Sequence, residues 1–303
     1  MKRKDLLRKL GYEIPKDAQI NVFIDTDAKN EADDQYAIMH FLMSPTINII
    51  GIGAEHFEAK AKNGNSMQES YDEIKKILKL VEIDDVSVYK GARLPLNGET
   101  EKSEAVNCII EAAKKERIYV ATLGALTNLA TAIIKEPKIS SNITVILNGG
   151  GPYPKGRAEF NIMQDLSAAR IVFNSNAEIW QIPQNVYSTL EVSIASLKEK
   201  IYPCGKIGQY LFNQLVQCNL KEFNPKFLLR TGENWTLGDN ATIGVLIMNH
   251  LRDDFEIRNA LELNDDGTYG SFINKKIKVY KSIDSCFILN DFYSKLNLIY
   301  GDD

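Results

Sequence analysis

The sequence predicts an α/β protein with a single open, mainly parallel sheet flanked by helices. Two observations carry that prediction. Short apolar, β-rich runs alternate with helical segments through the first half of the chain, which is the pattern of right-handed βαβ crossovers. No internal repeat, low-complexity tract or Pro/Ser-rich linker interrupts them, so residues 1–303 are expected to form one domain.

The elements follow in order. Asn21-Val-Phe-Ile-Asp25 reads as a buried strand, and Gln35 to Met43 as a helix with Ile38, Phe41 and Leu42 on one face. Ile47 to Ile52 is a second strand, and Met67 to Val81 a helix that turns Ile74, Ile77 and Leu78 inward. Val86 to Tyr89 and Ile118 to Ala121 are further strands, followed by a helix across Asn128 to Ile134. Ile143 to Leu147 is another strand, ending in Asn148-Gly-Gly-Gly-Pro152. Far downstream, Gly238-Asp239-Asn240 opens an apolar helical run from Ile243 to Met248. Trp180 reads as core beside Ile179 and Ile182, and His40 and His250 as helix residues facing core or solvent.

Thirty-six basic residues against forty acidic ones give a net charge of −4, without the concentrated basic face of a nucleic-acid binder. Hydrophobic residues at 44% and charged ones at 25% exclude a disordered chain or a coiled coil. No stretch approaches the ~18 uninterrupted apolar residues of a membrane helix, and Met1-Lys-Arg-Lys has no apolar run behind it. Cys108, Cys204, Cys218 and Cys286 lack metal-site spacing and read as thiols in a reducing compartment. A cytoplasmic protein is expected.

Ligands of parallel sheets bind at the carboxyl ends of the strands. The segment leaving the first strand holds Asp25, Asp27, Glu31, Asp33 and Asp34, five acids in ten residues. One or two of these are accounted for as helix caps, but not all five. Two carboxylates ~4 Å apart repel by about 4 kcal/mol at an effective dielectric near 20, so a proton or a cation must sit among them. All-oxygen donors favour a hard ion such as Ca²⁺ or Mg²⁺ over zinc. Four other segments lie at strand ends or a helix start: Leu123-Gly-Ala-Leu-Thr-Asn128, Asn148-Gly-Gly-Gly151, Ala158-Glu-Phe-Asn161 with Asp165, and Gly238-Asp-Asn240. Glu159 and Asn161, two residues apart, share a side if the chain is extended there.

Taken in order, these segments resemble the inosine–uridine-preferring nucleoside hydrolases, as does Val88-Tyr-Lys-Gly91-Ala-Arg-Leu-Pro95-Leu96. The resemblance runs from about Val22 to Asp239. It implies a Rossmann-like α/β core with a calcium ion at the floor of the pocket. Asp27, Asp34, Asp239 and the backbone carbonyl of Leu123 would hold the Ca²⁺. Asp27 would also be the general base toward water, and Asp33, Glu159 and Asn161 would hold sugar hydroxyls. The implied reaction is hydrolysis of the N-glycosidic bond of a ribonucleoside or related ribosyl compound. The implied partner is that small molecule, in a homo-oligomer (dimer or tetramer).

The chain departs from the family pattern in four places. Five residues, Ala28 to Ala32, separate the two aspartate pairs where the family has three, which brings in Asn30 and Glu31 as candidate ligands. The family's asparagine after the second strand has no clear match in Gly51-Ile-Gly-Ala-Glu55-His56-Phe57, and His56 becomes a candidate there. Asn148 replaces a methionine and joins the substrate-binding candidates. Gly238 stands where a histidine or aromatic usually precedes the late aspartate, leaving Trp235 and Arg230 to meet the departing base. Two other readings compete: a sugar-binding protein without activity, and a haloacid-dehalogenase-type phosphatase with Asp25 as nucleophile and Asp27 beside it.

Overall fold

In the computed structural model, which describes residues 1–98, 100–224 and 231–301, the sheet is organised around the first predicted strand. That strand, β1 (Ile20–Thr26), buries Val22 and Ile24 in one core and Phe23 in another. A strand buried on both faces belongs in the middle of a parallel sheet. The others are β2 (Ile47–Ala54), β3 (Val88–Lys90), β4 (Ile118–Thr122), β5 (Ile143–Asn148), β6 (Glu178–Ile182), β7 (Glu191–Ser193), β8 (Asn234–Thr236), β9 (Asp254–Leu263) and β10 (Tyr269–Ser282).

Among the described residues the main sheet has eight strands, in the order β3-β2-β1-β4-β5-β6-β10-β9. Every neighbouring pair is parallel except β10 and β9, so the sheet is mainly parallel with one antiparallel edge. Strands β7 and β8 form a separate antiparallel pair. The chain moves from β1 outward to β2 and β3, then returns to β4 on the other side of β1. That reversal makes a crevice beyond the carboxyl ends of β1 and β4, the topological switch point.

Two layers of helix cover the sheet. Helices Asp34–Leu42, Ser66–Leu80, Asn240–Ile247 and Ser285–Tyr300 contribute to the core that holds Val22 and Ile24. Helices Glu104–Lys115, Thr127–Lys135 and Leu166–Asn174 contribute to the core that holds Phe23. Ile74, Ile77 and Leu78 turn inward as expected.

Four details differ from the sequence expectations. The third strand starts at Val88 rather than Val86, because only three residues reach register with β2. Helix Glu104–Lys115 was not foreseen, although Ser103 accepts a hydrogen bond from the Val106 amide as its N-cap and the apolar spacing is helical. Trp180 is half-buried rather than core: alternation along β6 turns it away from Ile179, and its ring lies 4.2 Å from the Lys278 ammonium. His250 lies in a short 3-10 turn, His250–Arg252, and pairs with Asp253 at 3.0 Å.

His40, by contrast, is fully buried and ties three helices together. Its Nε2 bonds Asp291 at 2.8 Å, 251 positions along the chain, and its Nδ1 meets the Asn240 amide at 3.1 Å. Lys295 completes the tie, donating to Asp291 at 2.5 Å and to Ser44 at 3.0 Å.

Gly91 shows how tightly the crevice wall is closed. A Cβ there would overlap the Ala54 carbonyl and the Asn128 amide. Asn128 is itself committed, accepting from the Ala92 amide at 2.8 Å and donating to Asp25 at 2.9 Å. Gly91→Ala is therefore expected to destabilise the protein by ~1–3 kcal/mol in chemical denaturation, as overpacking does. An unchanged denaturation midpoint would show that the wall yields.

Candidate active site

Asp25, Thr26 and Asp27 leave β1 with at most 1% exposure. The Thr26 hydroxyl donates to Asp34, which opens the next helix. Asp33, at the N-cap of that helix, accepts from the backbone N–H of Asp239 at 3.3 Å. Carboxylate oxygens of Asp33, Asp34 and Asp239 lie within 4.8 Å of one another.

The lengthened turn from Ala28 to Ala32 is pinned rather than loose. Both alanine side chains are fully buried, and their carbonyls accept from Gln35 at 2.6 Å and Gln214 at 2.9 Å respectively. The extra residues Asn30 and Glu31 consequently border the same cleft as the aspartates.

The opposite wall comes from β4, β5 and the segment after β5. Asn148 donates from Nδ2 to Asp239 at 2.9 Å. Asn161 donates from Nδ2 to the carbonyls of Leu123 at 2.8 Å and Asn148 at 2.9 Å, so it fixes the Leu123 carbonyl that was expected to face a metal. Glu159 is the N-cap of helix Phe160–Gln164. Asn161 therefore lies inside a helix, and the pair is not extended as the two-residue spacing suggested.

These walls enclose a cleft of about 110 Å³. Asp27, Asp33, Asp34, Leu123, Asn148, Glu159, Asn161 and Asp239 all line it. Trp235 stands apart. It lies on β8 at 9% exposure among core residues, and it borders a neighbouring cavity that shares Glu31 and Thr236 with the cleft. Period-2 alternation turns Thr236 toward the cleft and Trp235 away from it. Arg230 lies outside the described residues.

Two further candidates are placed away from the cleft. His56 is fully buried and bonds Thr127 at 2.8 Å, which in turn donates to Asp165 at 2.8 Å, a chain that joins the segment after β2 to the starts of two helices. Asp25 is fully buried, bonded to Asn128 and beside Glu55, and does not line the cleft. A phosphatase nucleophile has to reach solvent, so the haloacid-dehalogenase reading loses its central residue. Sequence reasoning passed over Tyr187 and Phe160, which line the cleft. Tyr187 follows β6, so the strand-end rule applied to one more strand would have found it.

Crowding and burial push the carboxyls up. Asp34 rises to about 7, burial being the first cause, partly offset by bonds with Thr26 and Asp239. Asp27, Asp33 and Asp239 rise well above the usual carboxylate range, first through burial and then through the charges of their neighbours.

Fold and site thus define a class: an α/β protein with a carboxylate-floored, amide-walled cleft at its topological switch point. The chain belongs to the inosine-uridine preferring nucleoside hydrolase family, whose sequence model matches residues 22–292. Pyrimidine-specific ribonucleoside hydrolase RihB of Escherichia coli O1:K1 / APEC is 29% identical over 195 residues, covering 61% of this chain and 60% of that protein. The chain thus spans about three fifths of that relative's length in the match. RihB of Escherichia coli strain SE11 is 26% identical over 296 residues, covering 85% of this chain and 88% of that protein. The solved purine-preferring ribonucleoside hydrolase from Gardnerella vaginalis shares the fold, with a TM-score of 0.75 at 20% identity over 92% of this chain and 99% of that one. Among the described residues no helix is long and apolar enough to cross a membrane.

The raised carboxyls have a measurable consequence. The folded state keeps protons that the unfolded chain, with ordinary values near 4, has released. Stability without divalent ions therefore falls as pH rises through that range up to about 7, where Asp34 titrates. The thermal midpoint of chelator-treated protein is expected to drop between about pH 5 and about pH 8. Added calcium should remove that slope, since a cation favours the deprotonated set. A midpoint that rises with pH in chelator contradicts this account.

Proposed function

We propose that the protein hydrolyses the N-glycosidic bond of a ribonucleoside, or of a related ribosyl compound, with Asp27 as general base and Ca²⁺ as cofactor. The observation that carries the reading is the cleft itself, which gathers eight expected residues from five separate chain segments around one floor. Family membership supports the reaction class, and RihB, by its name, acts on pyrimidine ribonucleosides.

The residues fit a hard divalent cation. Asp27 Oδ2 and Asn148 Oδ1 are buried without a hydrogen-bond partner, and Asn30 Oδ1 is likewise buried and unpartnered. Three further carboxylates crowd the same floor. All the donors are oxygens, the set that Ca²⁺ takes. Asp27, Asp34, Asp239 and the Leu123 carbonyl would hold the ion. When bound, it would supply Lewis acidity, making water easier to deprotonate near neutral pH.

The protein's own part is base, clamp and charge. Asp27 takes a proton from the attacking water as that water adds to the anomeric carbon and the base departs with the bonding pair. Asp33, Asn148 and Asn161 hold the ring so that water meets one face. The surrounding carboxylates stabilise positive charge that develops on the sugar. A cytoplasmic homo-oligomer completes the proposal.

A panel of purine and pyrimidine nucleosides, assayed for reducing sugar, tests the reaction. Asp27→Asn is expected to lower kcat by ~10²–10⁴-fold with the fold retained, the usual size of a lost general base. Turnover at the wild-type rate in that variant would remove Asp27 from the mechanism. A sugar-binding protein without activity would bind ribose and turn over nothing.

Asn161→Ala tests the clamp and its support together. Two backbone carbonyls lose their donor, so a loss of ~1–3 kcal/mol in stability is expected alongside weaker ribose binding. Weaker stability with ribose affinity unchanged would confine Asn161 to the scaffold.

A further inference from the structure

Glu159 was expected to hold a sugar hydroxyl, yet its carboxylate is already fully engaged. Oε1 accepts from the Tyr187 hydroxyl at 2.9 Å and the Asn161 amide at 3.3 Å, and Oε2 from the amides of Gly150 at 2.9 Å and Ile162 at 3.1 Å. A carboxylate offers about four lone-pair sites, so no acceptor position remains for a substrate. Three of the four donors are backbone amides set by the fold. The fourth is the side chain of Tyr187.

Tyr187 is not free to step aside. It ends the short helix Gln184–Tyr187, between the buried residues Val186 and Leu190. A Cβ built on Gly238 would stand 2.9 Å from its ring carbon Cδ2, so the ring fills the space that any side chain at position 238 would need. Burial and the neighbouring Glu159 carboxylate raise the phenol's pKa, so the hydroxyl keeps its proton. That single proton points at Glu159, and what the oxygen still offers is a lone pair. Both residues line the cleft.

We propose that Tyr187, rather than Glu159, receives a sugar hydroxyl on this wall, with Glu159 acting as the positioning residue that orients the phenol. The inference rests on the ribosyl reading of the cleft and extends it. Gly238 then has a physical reason: the aromatic group on this side comes from position 187 instead of 238. The wall accepts hydrogen bonds and carries negative charge, so it suits a free hydroxyl and disfavours a phosphate ester at the same position.

Calorimetric titration with ribose in the presence of calcium, for wild type and Tyr187→Phe, tests this without requiring turnover. The variant keeps the ring but takes one donor from Glu159, so its melting temperature should fall only modestly, while ribose affinity falls ~3–10-fold, the usual cost of one hydrogen bond. Against 2-deoxy-, 3-deoxy- and 5-deoxyribose, the loss should vanish for one sugar only, which identifies the hydroxyl by non-additivity. Gly238→Ala should lower the melting temperature in wild type but much less in Tyr187→Ala, where the ring is gone. If wild type binds ribose and Tyr187→Phe binds it equally or more tightly, Glu159 takes the hydroxyl itself and the Tyr187 assignment falls alone. Equal loss toward all three deoxy sugars overturns it too. If wild type binds no ribose, the ribosyl reading falls and takes this assignment with it.

Discussion

Mutual repulsion among buried carboxylates is the constraint around which this fold is built. Asp27, Asp34 and Asp239 are each no more than 4% exposed, and Asp33 joins two of them within 4.8 Å. Two such groups ionised at ~4 Å oppose each other by about 4 kcal/mol. Nothing in the hydrophobic core removes that cost. It is met by hydrogen-bond donors aimed at individual oxygens, by retained protons, and by any cation the floor takes up. The protein keeps a costly arrangement at one place and surrounds it with parts that make it tolerable.

Those parts are spread widely along the sequence. Thr26 and Asn148 each donate to one floor carboxylate, and the Asp239 amide to another. Asn161 holds the two carbonyls that border the floor, and Gln35 and Gln214 fix the lengthened turn. A second support stands behind the glycine-rich segment after β5. Tyr269 donates to the Gly151 carbonyl at 2.9 Å and stacks on Tyr153 at 4.4 Å, with Arg258 over that ring at 3.8 Å. The antiparallel edge hairpin therefore reaches back to brace the wall that carries Glu159.

Much of this was legible in the sequence because it obeys short-range rules. Two-faced burial of Val22, Phe23 and Ile24 marks a central strand, and apolar spacing at Ile74, Ile77 and Leu78 marks a helix. The strand-end rule pointed to the rim, and the motifs there named eight residues that line the cleft. What escaped depends on contacts between distant segments. Trp235 could not be told from its neighbour Thr236 until the β8 face was known. The engagement of Glu159 needs Gly150, Ile162 and Tyr187 in space, and no spacing in the chain announces that. His56 looked functional because it follows a strand at the ligand end, but its side chain points to Thr127.

The tie made by His40 links the floor's acids to a residue near the far end of the sequence. Asp34 lies on the helix that carries His40, Asp239 precedes the helix that carries Asn240, and both helices are joined through His40 to Asp291 on a third. A chain emerging from the ribosome therefore exposes its first aspartates long before the segment that braces them exists. Asp291 thus bears on the floor from a distance, through the two helices that His40 joins to it.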